Sequence, residues 1–359
     1  MRVCISGRAL YYPYNGHLWS RLNWALGFRS IGCSVVWLEL VDPEKPALET
    51  AAGAETLFRI LQTYGIDFAL VGPPESSPLE GIVSLEDAAT SDILLNHDVD
   101  IGTEILAHFR RTIFIDADPG MFQGWLREGA LSLSAHDLYF TVGEGAVQKE
   151  GGRLWQYIPQ CIALDWWPVT TDSAEGAFTT VTHWWGGRSG KRAGFEPYFD
   201  LPSLTRQPLE ISLFVERESS GEPSDRTKQE WKNLTERGWR LRDARTLWDS
   251  AAYQGYIQNS IGEFSCAKPD YVSMNTAWVS DRTLCYLASG KPAIVQHTGP
   301  SRVLPDNGGV FRFRNPQEAA KYLDAAVKDY DRNARLARAI AEEHFDAKKV
   351  VSRVLEISA

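Results

Sequence analysis

IGEFSCAKPDYVSMNTAWVSDRTLCYLASGKPAIVQHT, from Ile261 to Thr298, carries three signals in succession. Gly262 to Ala267 is a compact, partly apolar run that reads as a strand entering a polar loop over Lys268 to Asn275. Ser280 and Asp281 then mark a helix start, a Ser cap with an acid in the first turn. Leu284, Leu287 and Ala288 follow at helical spacing. Gly290-Lys291-Pro292 stops that helix, and Ala293 to Val295 reads as the next buried strand. The result is a β-loop-α-β unit whose polar loop feeds a helix N-terminus. In open α/β sheets that is where ligands bind, anions in particular.

Outward from this unit the same alternation repeats. Arg2 to Arg8 is a plausible first strand, followed by a loop rich in Tyr, Pro and Gly. The helix NGHLWSRLNWALGFRSIG comes next, with Leu18, Leu22, Ala25 and Leu26 on one face. Ser34 to Leu40, Asp67 to Val71, Ile93 to Leu95, Thr112 to Ile115, Leu138 to Val142 and Leu154 to Ile158 read as further strands, with a helix over Thr56 to Thr63. Periodicity is lost from Asp165 to Gly176, where the domain crossing is placed. Strands restart at Phe178 to Val181, Leu209 to Val215, Trp239 to Leu241 and Gly309 to Phe313, with helices near Trp231 and Tyr253, and two helices end the chain. Strand-helix alternation of this kind predicts an α/β protein of two Rossmann-like, doubly wound domains facing a cleft. The expected domains are residues 1–170 and 171–338, with a C-terminal helix over 339–359 packing back on the first.

Composition narrows the function classes. A 359-residue chain with 44% hydrophobic and 23% charged residues is a well-cored globular protein, more readily two domains than one. A net charge of -9 argues against a nucleic-acid partner, which needs clustered Lys and Arg. No apolar run is long enough for a membrane span. The N-terminus lacks a basic region followed by a long apolar core, and the five Cys are scattered and never in C-x-x-C. A cytoplasmic protein with reduced thiols is the expectation.

Four places carry candidate chemistry, each beside a plainer reading. Ser280, Asp281 and Arg282 sit at a helix N-terminus, where free N–H groups and Arg282 would neutralise a diphosphate; the alternative is an ordinary cap with an exposed Arg. Lys268 in the preceding loop is a second cation for the same phosphates, or simply solvated. HWWGGRSGKR, from His183 to Arg192, is a Gly-rich, basic loop after a strand. Gly186 and Gly187 would let backbone approach a phosphate, with Arg188 beside them, or the loop is a flexible turn. It is not a P-loop, because the spacing before Gly190-Lys191 is one short and Arg192 stands where Ser or Thr is needed. Asp116 and Asp118 form D-x-D at a strand end in the half away from the phosphate-binding segments. There a catalytic or acceptor-orienting Asp is favoured over a metal ligand, and a strand-end turn through Asp118-Pro119-Gly120 is the remaining alternative. His17 opens the first helix. With Asp116 or Asp118 on its far nitrogen it would deprotonate a hydroxyl, although a lone His there is more often structural. The other histidines outside the Gly-rich loop lack ligand spacing, so no metal site is expected.

Several segments resemble the GT-B glycosyltransferases. PYNGHLWSRLNWALGFRSIGCSVVWLE, from Pro13 to Glu39, is similar to the proline-x-x-glycine-histidine opening of inverting enzymes that use nucleotide sugars. GEFSCAKPDY, WVSDRTLCYLASGKPAIVQHTG and the C-terminal AIAEEHFDAKKVVSRVL resemble a group of bacterial members. The resemblance implies that the C-terminal domain binds a nucleotide-sugar donor. It also implies that the N-terminal domain binds a small-molecule or glycan acceptor at Asn15, Gly16 and Gly120. Many such enzymes carry a glutamate pair around the last donor helix, the second holding the ribose. Cys285 stands at that place here, so ribose recognition passes to another residue such as Glu263. The implied activity is sugar transfer by metal-independent, inverting single displacement, with His17 as base and no cofactor beyond the nucleotide-sugar co-substrate. A nucleotide-sugar epimerase, a phosphorylase, or a non-catalytic nucleotide-sugar-binding partner are the alternatives.

Overall fold

The structure is a computed structural model. It describes all residues except 12–14, 73–78, 147–148, 151–152, 171–175, 185–186, 188–189, 215–221 and 307, together with the side chains of 15, 146, 149 and 150. The chain forms two compact units, one of Met1–Ala163 with Asp346–Ala359, the other of Leu164–Phe345. The transitions thus fall at Ala163/Leu164 and Phe345/Asp346, where the sequence pointed to 170/171 and 338/339.

The first unit runs β1 (Arg2–Ser6), α1 (Asn15–Ser30), β2 (Ser34–Leu40), α2 (Ala47–Thr63), β3 (Asp67–Val71), α3 (Leu85–Ala88), β4 (Ile93–Asn96), α4 (Thr103–Leu106), β5 (Thr112–Asp116), α5 (Met121–Glu128), β6 (Leu138–Thr141), β7 (Lys149–Glu150) and β8 (Arg153–Tyr157). Its sheet has the order β3-β2-β1-β4-β5-β6-β8-β7, parallel throughout except for the antiparallel β7–β8 pair. Burial explains the parallel sheet: β4 and β5 are buried at every position, as strands covered by helices on both faces must be. The α2 helix begins at Ala47, nine residues before the Thr56 that periodicity marked.

The second unit runs β9 (Phe178–His183), α6 (Lys191–Phe195), β10 (Leu209–Phe214), α7 (Asp225–Glu236), β11 (Arg240–Asp243), α8 (Ser250–Gln258), β12 (Gly262–Ser265), α9 (Pro269–Ser273), α10 (Asp281–Ala288), β13 (Ala293–Gln296), β14 (Val310–Phe313), α11 (Pro316–Lys328) and α12 (Tyr330–Ile340). The sheet order is β11-β10-β9-β12-β13-β14, every pair parallel. Side-chain caps place several helices: Ser224 accepts from Thr227 N, Asp249 from Ala251 N and Ala252 N, and Asn315 from Glu318 N ahead of Pro316.

The chain ends in α13 (Ala347–Ser358), which belongs to the first unit. Ala347 N donates to Ile162 O at 3.0 Å, and α13 lies along α1. Gly27 makes that packing fit, because a Cβ there would stand 2.9 Å from Ala347 Cβ. Three helices, not two, follow β14, since a π-turn over Ala341–Phe345 separates α12 from α13.

Candidate functional site

Each sheet has a topological switch point, and the chemistry-bearing side chains gather at both. In the second unit the strand order reverses between β9 and β12. The loop after β9 leads to Lys191, the first residue of α6, and the loop after β12 leads through α9 to α10. A narrow recess lies beside it, on the β13 and β14 side of the α10 start, lined by Ser265, Cys266, Trp278, Ser280, Thr283 and Gln296 among others.

Lys191 is the residue that sequence reasoning missed. It stands inside the quoted Gly-rich loop, but the loop's glycines drew the attention. Only 6% exposed, it donates from Nζ to Cys266 O at 2.7 Å and lies 5.6 Å from the centre of the Trp278 ring. Burial, and then the Arg282 charge, lower its pKa to about 7. Lys268 adds to that lowering and lies over Tyr271, whose ring stacks on Trp278 at 4.2 Å. Two lysines therefore converge on a stacked aromatic pair. Gly194 permits the approach of α6, since a Cβ there would meet Ala267 O at 1.9 Å.

Arg282 differs from the expectation. It is buried, not poised toward a ligand. Nε and Nη2 both lie 2.8 Å from Glu263 Oε1, Nη1 donates to Val181 O at 2.8 Å, and Nη2 donates to Ser265 Oγ at 2.6 Å. Burial opposes its charge, but the Glu263 carboxylate outweighs this and raises the pKa. The guanidinium ties α10 to β9 and β12. Glu263 is wholly buried in the same pair, near the start of β12 and not at its ligand-facing end, which fits a brace and not a ribose ligand. Ser280 holds the N-cap position of α10, 8% exposed, yet its side chain makes no capping bond. Asp281 opens the helix and is half-buried. The polar loop expected over Lys268 to Asn275 contains α9, started by Pro269 at its first position. Gly187 has a left-handed φ of 57°. Gly186 and Arg188 lie outside the described residues.

In the first unit the switch falls between β1 and β4. His17, the third residue of α1, has Nε2 2.8 Å from Arg8 O. A carbonyl only accepts, so Nε2 carries the proton and Nδ1 the lone pair. Burial, then Arg21, pull the His17 pKa down to about 4 against that bond. One nitrogen of the ring is thus held by a backbone carbonyl. Asp116 ends β5, two strands from β1 and so about 10 Å away across the sheet. Asp116 is 2% exposed and already engaged: Oδ2 accepts from Gln123 Nε2 at 2.8 Å and Thr141 Oγ1 at 3.1 Å, and Oδ1 from Asp118 N at 3.0 Å. Burial raises its pKa to about 7. Asp118 Oδ1 accepts from Met121 N at 3.4 Å, a turn bond at the start of α5, with Gly120 at the N-cap. Gly16 lies in the first turn of α1, and the side chain of Asn15 is outside the description.

Around β1 a second network was invisible in sequence. The buried Glu39 carboxylate accepts from Ala9 N at 2.7 Å, Leu10 N at 3.1 Å and Trp37 Nε1 at 2.7 Å, fixing the loop whose Arg8 carbonyl holds His17. Arg8 pairs with Asp98 at 2.9 Å and Asp100 at 2.6 Å. Among the described residues no group of three or more His, Cys, Asp or Glu has metal-site geometry, and no helix is long and apolar enough to cross a membrane.

No protein-family model and no curated protein matches the chain. Solved structures do match it along its whole length. Anabaena Alr3699/HepE in complex with UDP-glucose aligns with a TM-score of 0.62 at 13% identity, covering 99% of each chain. An alpha-glucosyltransferase in complex with UDP aligns at 0.63 and 13%, again with 99% of each covered. AviGT4, a glycosyltransferase involved in avilamycin A biosynthesis, aligns at 0.57 and 13%, covering 100% of this chain and 97% of the other. The two parallel sheets, their helices and this full-length likeness together give the chain the GT-B fold.

Proposed function

We propose that the protein is a glycosyltransferase that takes a sugar from a nucleoside-diphosphate donor held by the second unit. The observation that carries this reading is the convergence of Lys191 and Lys268 on the Tyr271–Trp278 pair, beside the N-terminus of α10 at the β9/β12 switch point. A buried lysine, a second cation and a helix N-terminus suit a diphosphate, and stacked rings suit a base or sugar face. The fold neighbours in complex with UDP or UDP-glucose support the same ligand class.

The diphosphate is met by lysines and a helix end, so the reaction is metal-independent. Activity should survive EDTA; complete loss restored by magnesium or manganese would reassign Asp116 and Asp118 as metal ligands. With His17 taking the acceptor proton, transfer proceeds by single displacement with inversion. The low His17 pKa favours a second reading, transfer with retention, in which the leaving diphosphate receives that proton and no side-chain base is needed. The anomeric configuration of the product, read by NMR, separates the two.

Lys191→Met keeps the length of the stem and removes the charge. It should weaken nucleoside-diphosphate binding roughly 10- to 150-fold, the equivalent of one charge-assisted contact. For the parent, affinity should fall as pH rises through about 7, because the lysine loses its proton there. Bound diphosphate would raise the lysine's pKa in the complex, so the fall begins near 7 and continues up to that higher value. Calorimetric titration at several pH values checks both, and equal affinity in parent and variant would remove Lys191 from the site. Thermal-shift screening with nucleoside diphosphates tests the function itself, since a ligand specific to the folded state raises the melting temperature. No stabilisation by any of them would remove the donor reading.

A further inference from the structure

We propose that Glu230, on α7, is the positioning residue for Lys191: its carboxylate joins Trp184, the residue after β9, to Arg192, the second residue of α6, and so keeps the lysine inside the second unit. That Lys191 meets a diphosphate rests on the transferase reading above; the way it is held does not.

The start of α6 has little of its own to fix it. The helix is five residues long, and its N-cap, Gly190, offers no side chain to cap it. Lys191, the first residue, reaches inward, where Nζ donates to Cys266 O at 2.7 Å. An ammonium that is only 6% exposed is drawn to water, and its four-carbon stem is long enough to carry it there. Such a side chain stays inside only where its backbone is held from another direction.

Arg192 supplies that hold. Its Nε donates to Glu230 Oε1 at 2.8 Å and its Nη2 to Oε2 at 3.4 Å, while Trp184 Nε1 donates to Oε1 at 3.2 Å. One carboxylate thus ties together the two ends of the β9–α6 connection. Phe199 completes the joint: the Trp184 ring stacks on it at 6.3 Å, and the Arg192 guanidinium lies 5.4 Å from its centre. Glu230 stands on a fixed support, since its α7 neighbours Trp231 and Leu234 pack in the core of the second unit. Its own side chain is 18% exposed. Arg192 also lies 3.6 Å from Glu196, but that contact is four residues along the chain and joins α6 to no distant element.

The direction of a pKa change separates positioning from a direct electrostatic effect. Besides burial, the groups that act most on Lys191 are Arg282, Cys266, Glu263 and Lys268, and Glu230 is not one of them. Deleting a carboxylate can only lower the pKa of a lysine that feels it. Release of Lys191 to water does the reverse, because burial is the main cause of its depression.

The test uses full-length protein with 13C-labelled lysine, the Lys191 signal being identified by its loss in Lys191→Met. In the parent this signal should titrate near 7. In Glu230→Ala it should titrate well above that, toward the ordinary lysine range, and Arg192→Met should do the same. The double variant should move it no further than either, since both act through one contact. An unchanged or lowered titration in folded Glu230→Ala overturns the proposal, even if the melting temperature falls. A parent signal already in the ordinary range overturns it as well. If Glu230→Ala does not fold, Arg192→Met decides. UDP binding is read by calorimetry on the same samples at about pH 6, where the lysine is charged in parent and variants alike. A roughly tenfold loss in Glu230→Ala is expected, and equal affinity removes Glu230 from any part in the donor site. A moved titration in a protein whose parent does not bind UDP sinks the donor reading alone. UDP binding with an unmoved titration sinks this inference alone.

Discussion

Arg282→Ala should lower the unfolding free energy by about 3–5 kcal/mol, the effect of deleting one partner of a buried ion pair. Glu263 would be left fully buried without its counter-charge, while Val181 O and Ser265 Oγ would lose a donor. Urea denaturation at equilibrium measures the loss. Replacing both partners, Glu263→Leu with Arg282→Met, should restore much of it, because no charge is then stranded. A variant that melts like the parent but binds nucleoside diphosphates poorly would instead return Arg282 to the phosphates.

His17→Ala should reduce turnover by about a hundredfold, the lower end of the 10²–10⁴ contributed by a general base. The lower end is expected because a ring with a pKa of about 4 is neutral at working pH but weakly basic. Nucleotide binding should be unchanged, since Lys191 and the α10 start belong to the other unit. In the parent, the His17-dependent part of the rate should fall as pH drops through about 4, where the ring takes up a proton. Full turnover in His17→Ala, measured on a verified acceptor, would make retention the mechanism.

The strands and their parallel arrangement were legible because β4 and β5 are continuous, mostly apolar runs, which length and composition expose without any tertiary information. The β12–α10–β13 unit was legible for a further reason: a Gly-Lys-Pro stop gives a physical signal for the end of the helix. The pairing of Arg282 with Glu263 was not, because the two are 19 residues apart on different elements and nothing in the local sequence says that they face each other. Ser280 shows the limit of a local rule, as a good capping residue at the right position that makes no cap. The short α9 was hidden by its polar composition, although Pro269 is a start signal in retrospect. Lys191 acquires its character from burial. A lysine in a glycine-rich loop reads as solvated until the sheet order places it at a switch point.

On the proposed reading the second unit presents a nucleotide-sugar donor for transfer. Release of nucleoside diphosphate from a panel of nucleotide sugars tests it most directly, with parent and Lys191→Met protein run side by side in EDTA. Slow turnover of at least one donor by the parent is expected, accelerated by its acceptor, with a marked loss in the variant at subsaturating donor. Absence of turnover and of binding with every nucleotide sugar would contradict it.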